Sequence, residues 1–362
     1  MNQLGKLKPS VGGGLGGLPS RKEKNVETYK EEFSFYNTNW ITGISNGFIN
    51  DVRAFTVDEE NKIGYVLSTD INTIVSLDLS DLTNIQVLDT YTNTTLLCHT
   101  DNSALALDTV NKVLYCTARS SNTSAYYFLA ISVVNPRNMY LLSYCGGSNK
   151  YPGRDIVLDV ARKTAWTNSV VSAGRFYSMD ISNPLDVSVR HEYINNEMDA
   201  ATVMSYDLET KRMVVLSPDS QTVTLLDVSN IYKSTLIASK ILGSTTACII
   251  YKNNTLLVQS NDTMYVYDIS ANSFNLITTV ELGLTAYSYH IIDDFTILCV
   301  GSSSVIVNIR DMSNIMVTES KIGTGATNLS GTHYITNDKT LMSGYQDKVS
   351  SLKLSNIYIK DK

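Results

Sequence analysis

Short apolar runs broken by polar turns recur along the chain from about residue 50 to the end. The segment VDEENKIGYVLSTDINTIVSLDLSDLTNIQVLDT, starting at Val57, shows the unit. Two apolar runs flank a turn. A third, alternating run ends in Asp-Leu-Ser, and a fourth follows an Asn. The same order returns from Leu107, Leu158 and Tyr206, and three shorter copies follow. Runs of this length, alternating with period two between Asn/Asp/Ser/Gly turns, predict β-strands. Val75, Leu77 and Leu79 are expected on one face, and Ser76 and Asp78 on the other. Apolar spacing of 3.6 residues is nearly absent, so helices are not expected.

Two markers fix the period. The polar residue before the Leu-Ser or Ile-Ser step falls at Asp78, Ser132, Asp180, Asp227, Asp268, Asn308 and Lys353, spaced 54, 48, 47, 41, 40 and 45 residues apart. The Asp that opens the first turn falls at Asp58, Asp108, Asp159 and Asp207, spaced 50, 51 and 48. Four antiparallel strands per ~45 residues is the size of one propeller blade. The seven units predict an all-β, seven-bladed β-propeller of four-stranded blades. DISNPLDVSV at Asp180, VVNPRNMYLL at Val133 and DVSN at Asp227 resemble the Asp-Val-Ser-Asn-Pro step of LVIVD-type propeller repeats. The resemblance spans residues 50 to 360. Two units keep Asn-Pro, and Lys353 stands where Asp is usual. It implies a structural class and fixes no activity.

A ring of blades needs closure, or two raw sheet edges remain. The last unit ends in IYIK (Ile357 to Lys360), and EFSFYNTN (Glu32 to Asn39) alternates like a strand. The expectation is a propeller over 30–362, with an N-terminal strand completing the last blade. Residues 1–29 form a separate Gly-rich, basic arm. Its first 25 residues carry five basic groups against Glu23, a net charge of +4 that leaves about −10 for the rest. GGGLGGLP cannot hold helix or strand alone. Leu4, Leu7, Val11, Leu15 and Leu18, with Lys6, Lys8, Arg21, Lys22 and Lys24, are the groups expected to bind another subunit.

Composition narrows the classes. Hydrophobic residues make up 43% of 362, enough for a large core, while charged residues are 18%, below the ~25% usual for soluble domains. Ser, Thr, Asn and 22 Tyr take their place, which favours β-structure. A net charge of −6 and pI near 5.3 argue against nucleic acid as a partner. Neither a membrane span nor a secretory leader is read from the sequence. The five cysteines, Cys98, Cys116, Cys145, Cys248 and Cys299, are widely spaced and lack any CxxC or Cys/His cluster. They are expected to be reduced thiols, and no zinc site is expected. The sequons at Asn93, Asn122, Asn253, Asn261 and Asn328 are read as accidents of composition.

The chemistry-bearing motifs are thin. GISNG (Gly43 to Gly47) has the G-x-S-x-G spacing, but no helical pattern follows it. The glycine run lacks the Gly-Lys-Ser/Thr ending of a phosphate loop. His99, His191, His290 and His333 hold different places in their repeats. The one constellation lies at the channel mouth, where Asp51, Arg53, Asp101, Asn102, Arg154, Asp155 and Asp199 precede first strands. Two readings stand: a salt-bridge ring that plugs the channel, or a site for a cation such as calcium or a polar ligand. No catalytic residue, resident metal or cofactor is expected otherwise.

The expectation is a non-enzymatic structural protein of a larger assembly, in concrete form a bacteriophage virion component of tail, neck or capsid decoration. Its partners would be other subunits and a host-surface glycan stacked on residues such as Tyr126, Tyr127 or Tyr151. The alternative is a propeller glycosidase or lyase acting at the channel mouth.

Overall fold

The computed structural model describes residues 29–30, 49, 52–68, 72–97, 104–120, 125–147, 153–169, 174–252, 254–301, 304–312, 314–320, 332–335, 340–345, 348–353 and 359–360. Six four-stranded sheets follow one another: sheet 1 (52–92), sheet 2 (104–147), sheet 3 (156–194), sheet 4 (203–241), sheet 5 (245–281) and sheet 6 (286–320). Sheet 7 (332–353) has three described strands. In every sheet the strands pair antiparallel in chain order, and two short 3-10 turns are the only helical elements among the described residues. The first strands of sheets 1 to 7 touch in sequence, and that of sheet 7 (Thr332–Ile335) returns to that of sheet 1 (Val52–Asp58). These first strands line the axis of a closed ring.

The core lies between sheets. Ile63–Ser68, Thr164–Asn168, Thr255–Ser260 and Thr296–Gly301 are buried along their whole length, whereas no residue of the outer strand Gln86–Thr92 is. The alternation expected for Thr73–Asp78 is therefore not inside against outside. Val75 and Leu77 pack with Phe55, while Ile74 faces sheet 2 and packs with Leu114 and Leu129. Ser76 is buried too, and its hydroxyl donates to the Pro136 carbonyl of sheet 2. The pattern repeats around the ring. Leu256 and Val258 join sheet 4 through Val214 and Leu225, and Leu257 joins sheet 6 through Ile297 and Cys299. Each fully buried large side chain contributes roughly 1.5–3 kcal/mol.

The markers read from the sequence are turn devices. Asp58, Asp108 and Asp159 each accept the backbone N–H three residues on. Lys62, Lys112, Lys163 and Lys211 then take a left-handed backbone, φ 53° to 58°. Their carbonyls accept from Leu79, Val133, Ile181 and Val228, tying the first turn of each sheet to its last. Asp78, Asp180, Asp227 and Asp268 accept the N–H two residues on. Asn135, Asn183 and Asn230 repeat the device three residues past the marker, within the same turn, in sheets 2, 3 and 4. These Asx turns are the physical content of the Asp-x-Ser-Asn step.

The chain ends meet. Tyr29–Lys30 pairs antiparallel with Ile359–Lys360. This pair forms a two-stranded sheet of its own, apart from the three described strands of sheet 7; the expected closing strand, Glu32 to Asn39, lies outside the described residues, as does the arm 1–28. Cys116, Cys145, Cys248 and Cys299 are free, and burial pushes the thiols of Cys116, Cys248 and Cys299 well above their ordinary range; Cys98 lies outside the described residues.

Candidate functional site

The ring has two ends. First strands run from the mouth end to the turn end, so the first and last turns of each sheet share the turn end. At the mouth, Asp51, Asp101 and Asn102 lie outside the described residues. Arg53 and Arg154 are exposed, while Asp155 and Asp199 are half-buried. Asp155 stands four residues before the turn residue Asp159, where the matching places hold Ala54, Ala104, Val203 and Ala247. One oxygen accepts from the Ile156 N–H at 2.8 Å, and the other from the Met204 N–H of sheet 4 at 2.8 Å. Burial pushes its pKa up to about 6, against the pull of those two N–H groups. Asp155 thus fastens sheet 3 to sheet 4. Ser205 does the same for sheets 4 and 5, accepting from the Ile250 N–H, and Thr246 for sheets 5 and 6, donating to the Ala286 carbonyl. No group of three His, Cys, Asp or Glu suited to a metal ion occurs among the described residues.

The aromatic groups named for a glycan are placed differently. Tyr126 is buried, with Arg119 over its ring at 5.5 Å, and Tyr127 packs edge-on against Tyr144. Burial closes the Tyr126 ring to a sugar; Tyr151 lies outside the described residues. His191 and His290 sit on separate sheets, on the outer strand of sheet 3 and the first strand of sheet 6.

The turn end carries a feature that the sequence reading missed. Val110, Val134, Leu185 and Tyr232 are 65% to 78% exposed, and Leu208 is 58% exposed. All five belong to first or last turns of sheets 2, 3 and 4. Leu185 and Tyr232 occupy one turn position, two residues after Asn183 and Asn230, where sheet 1 has Thr83. The platform under them is stiff. Arg162 of sheet 3 spans to sheet 4, donating to the Val228 and Ser229 carbonyls and to Tyr206 Oη. Arg212 of sheet 4 donates to the Ile269 carbonyl of sheet 5 at 2.6 Å. Hydroxyls of Ser76, Ser143 and Ser178 donate to the Pro136, Pro184 and Ile231 carbonyls of the following sheet. The departure of Leu185 and Tyr232 from the polar turn pattern was the available signal.

No family model and no curated protein matches the chain. Solved structures do. A chain in the crystal structure of a mitotic checkpoint complex aligns with a TM-score of 0.63 at 10% identity, covering 98% of this chain and 100% of that one. The WD40 β-propeller domain of Doa1 aligns with a TM-score of 0.59 at 11% identity, covering 90% of this chain and 99% of that one. A functionally unknown protein from Desulfotomaculum acetoxidans aligns at 0.59 and 10% identity, covering 76% of this chain and 91% of that one. At such identities the likeness establishes the fold, an all-β propeller of four-stranded antiparallel sheets.

Proposed function

We propose that the chain is a seven-bladed propeller acting as a non-enzymatic binding disc within a larger assembly, with the turn end of sheets 2 to 4 as its protein-binding face. The observation that carries this reading is the exposed apolar set Val134, Leu185 and Tyr232, with Val110 and Leu208, on one end of three consecutive sheets. Clustered exposed apolar groups on a braced surface favour a protein partner. The blade count is supported by six four-stranded sheets, a three-stranded one and a ring of first strands that returns on itself. LVIVD-type repeats remain the nearest description of the Asx-turn step. Low charge and the basic glycine arm favour a virion component as the concrete form of the assembly.

The test uses the full chain from its native source. Leu185→Asp with Tyr232→Asp is expected to release a co-purifying partner while leaving the melting temperature within a degree or two. Retention of the same partners by this variant sinks the reading. Co-sedimentation of the native chain with particles tests the virion form, and recovery only as a free protein excludes it.

A further inference from the structure

The last turns of sheets 2, 3 and 4 are built alike but seated differently. In each, the residue four past the turn Asn is buried: Met139, Val187 and Ser234. Met139 and Val187 pack among the apolar side chains of the joint with the preceding sheet. Their N–H groups donate to the outer strand of that sheet, to Asp89 Oδ2 at 2.7 Å and Ser143 Oγ at 3.1 Å. Asp89 and Ser143 stand opposite Ser76 and Ala130, just before the irregularity in the pairing of third and fourth strands. In sheet 3 that place belongs to His191, opposite Ser178, whose hydroxyl donates to the Ile231 carbonyl of the sheet 4 turn. His191 Nε2 is enclosed and has no hydrogen-bond partner, and the Ser234 hydroxyl is likewise enclosed and without one. Seating this turn therefore buries a hydroxyl where its sisters bury a thioether or an isopropyl group. An enclosed polar group without a partner carries its full desolvation cost, which is relieved when the segment lifts and water reaches it.

We propose that the last turn of sheet 4 lifts and reseats as a hinged flap, which makes Tyr232 a movable anchor of the binding face while Val134 and Leu185, on the bonded sister turns, stay seated. Its two ends are held. Arg162 donates to the Val228 and Ser229 carbonyls, and Thr235 pairs with Asp227 at the start of the outer strand. Between them, Asn230 to Ser234 is tied across the joint by Ser178 Oγ on the Ile231 carbonyl at 2.6 Å and by Arg190, whose guanidinium lies 5.5 Å from the Tyr232 ring centroid. Arg190 is anchored to Asp180 of its own sheet at 2.7 Å, so it remains with sheet 3 when the turn lifts. The sister turns have the matching serine contact, from Ser76 to the Pro136 carbonyl and from Ser143 to the Pro184 carbonyl, and add to it the N–H bond and the apolar plug. A short segment held so lightly between fixed ends opens locally while the sheets stay folded, and can close on a partner after encounter. The inference rests on the reading of Tyr232 as part of a protein-binding face.

Amide hydrogen exchange of the free full chain tests it without a partner. Relative to intrinsic rates, the Ser234 amide is expected to exchange about tenfold faster than those of Met139 and Val187, the change that one unsatisfied buried polar group represents. Ser234→Val supplies the apolar plug of sheet 3, and His191→Asp supplies the acceptor of sheet 1. Either is expected to slow exchange at position 234 by about tenfold. The strand Thr222–Asp227, equally protected in all three chains, is the control for folding, and if one variant loses that protection the other decides. Equal protection of Ser234, Met139 and Val187 in the native chain overturns the inference, as does fast exchange at Ser234 that neither variant slows. Either result leaves the turn-end reading standing, because that reading is decided by partner release from Leu185 and Tyr232.

Discussion

Asp155 and Asp159 lie four residues apart, just before and at the end of the strand Ile156–Asp159, and respond to acid in opposite directions. Asp159 is fully buried and accepts from Arg162 Nε at 2.6 Å and Tyr206 Oη at 2.7 Å. Burial works against its charge, but the Tyr206 and Arg162 hydrogen bonds outweigh it and hold the pKa below the ordinary carboxylate value. Its stabilisation is present above the unfolded pKa of about 3.9 and is lost as pH falls through the depressed folded value. Asp159→Ala is expected to lower stability by about 3 kcal/mol at pH 7, since Arg162 loses its buried partner. Urea midpoints of the two chains should converge below pH 4. Asp155 has the contrary sign: its folded pKa of about 6 lies above the unfolded value, so its favourable contribution is present in acid and is lost as pH rises through 6. Asp155→Asn is expected to match or exceed the native stability at pH 7.5 by on the order of 1 kcal/mol, with the gap closing toward pH 5. A variant that is less stable by the same amount at both pH values would show that the Met204 hydrogen bond, and not the charge, dominates.

At the level of the strand and turn, glycine and the bulge matter where no side chain fits. Gly174 precedes the third strand of sheet 3 with φ 47°, and its carbonyl accepts from the Asn195 N–H. A Cβ there would lie 1.8 Å from the Asn195 carbonyl oxygen. Relief requires the backbone to move, so Gly174→Ala is expected to cost at least 2 kcal/mol by urea denaturation. An unchanged midpoint would mean that the loop Asn195–Ala200 yields freely. Sheets 1 to 5 each carry an irregularity at one place in the pairing of third and fourth strands, between Ser76/Leu77, Ala130/Ile131, Ser178/Met179, Leu225/Leu226 and Val266/Tyr267. Each leaves one extra residue on the outer strand, which raises local twist. In sheet 3 that residue is Arg190, which reaches back to Asp180 at 2.7 Å.

For the molecule as a whole, the pairing of the N-terminal and C-terminal segments is the smallest junction. Adjacent sheets are joined by broad apolar cores, whereas the chain ends are joined by two residue pairs, Tyr29 with Lys360 and Lys30 with Ile359. Ending the chain after Ser355 removes one side of this clasp. The expectation is a melting temperature lower by several degrees, with fully β-type circular dichroism below the transition. If the melting temperature is unchanged, the inter-sheet contacts of sheet 7 with sheet 1 close the ring by themselves.

The sequence determined the repeat because its markers are local. Asp78, Asp180 and Asp227 bond to a backbone N–H two residues away, and Asp58, Asp108 and Asp159 to one three residues away, so the turns, the strand number per unit and the all-β class follow from short-range chemistry. The direction in which buried residues face was not local. Ile74 and Val75 look alike in sequence, yet they enter different inter-sheet cores, because both faces of a middle strand are covered. The mouth charges show the same limit. Asp155 reads as one acid among several, and only the approach of the Met204 N–H across the sheet joint makes it a fastening. Glu197 carried no motif at all, and its carbonyl meets the Ser220 and Thr222 hydroxyls only through a loop crossing between sheets. Long-range juxtaposition of this kind is set by ring closure and inter-sheet packing, and these act on pairs of residues that the local pattern cannot relate.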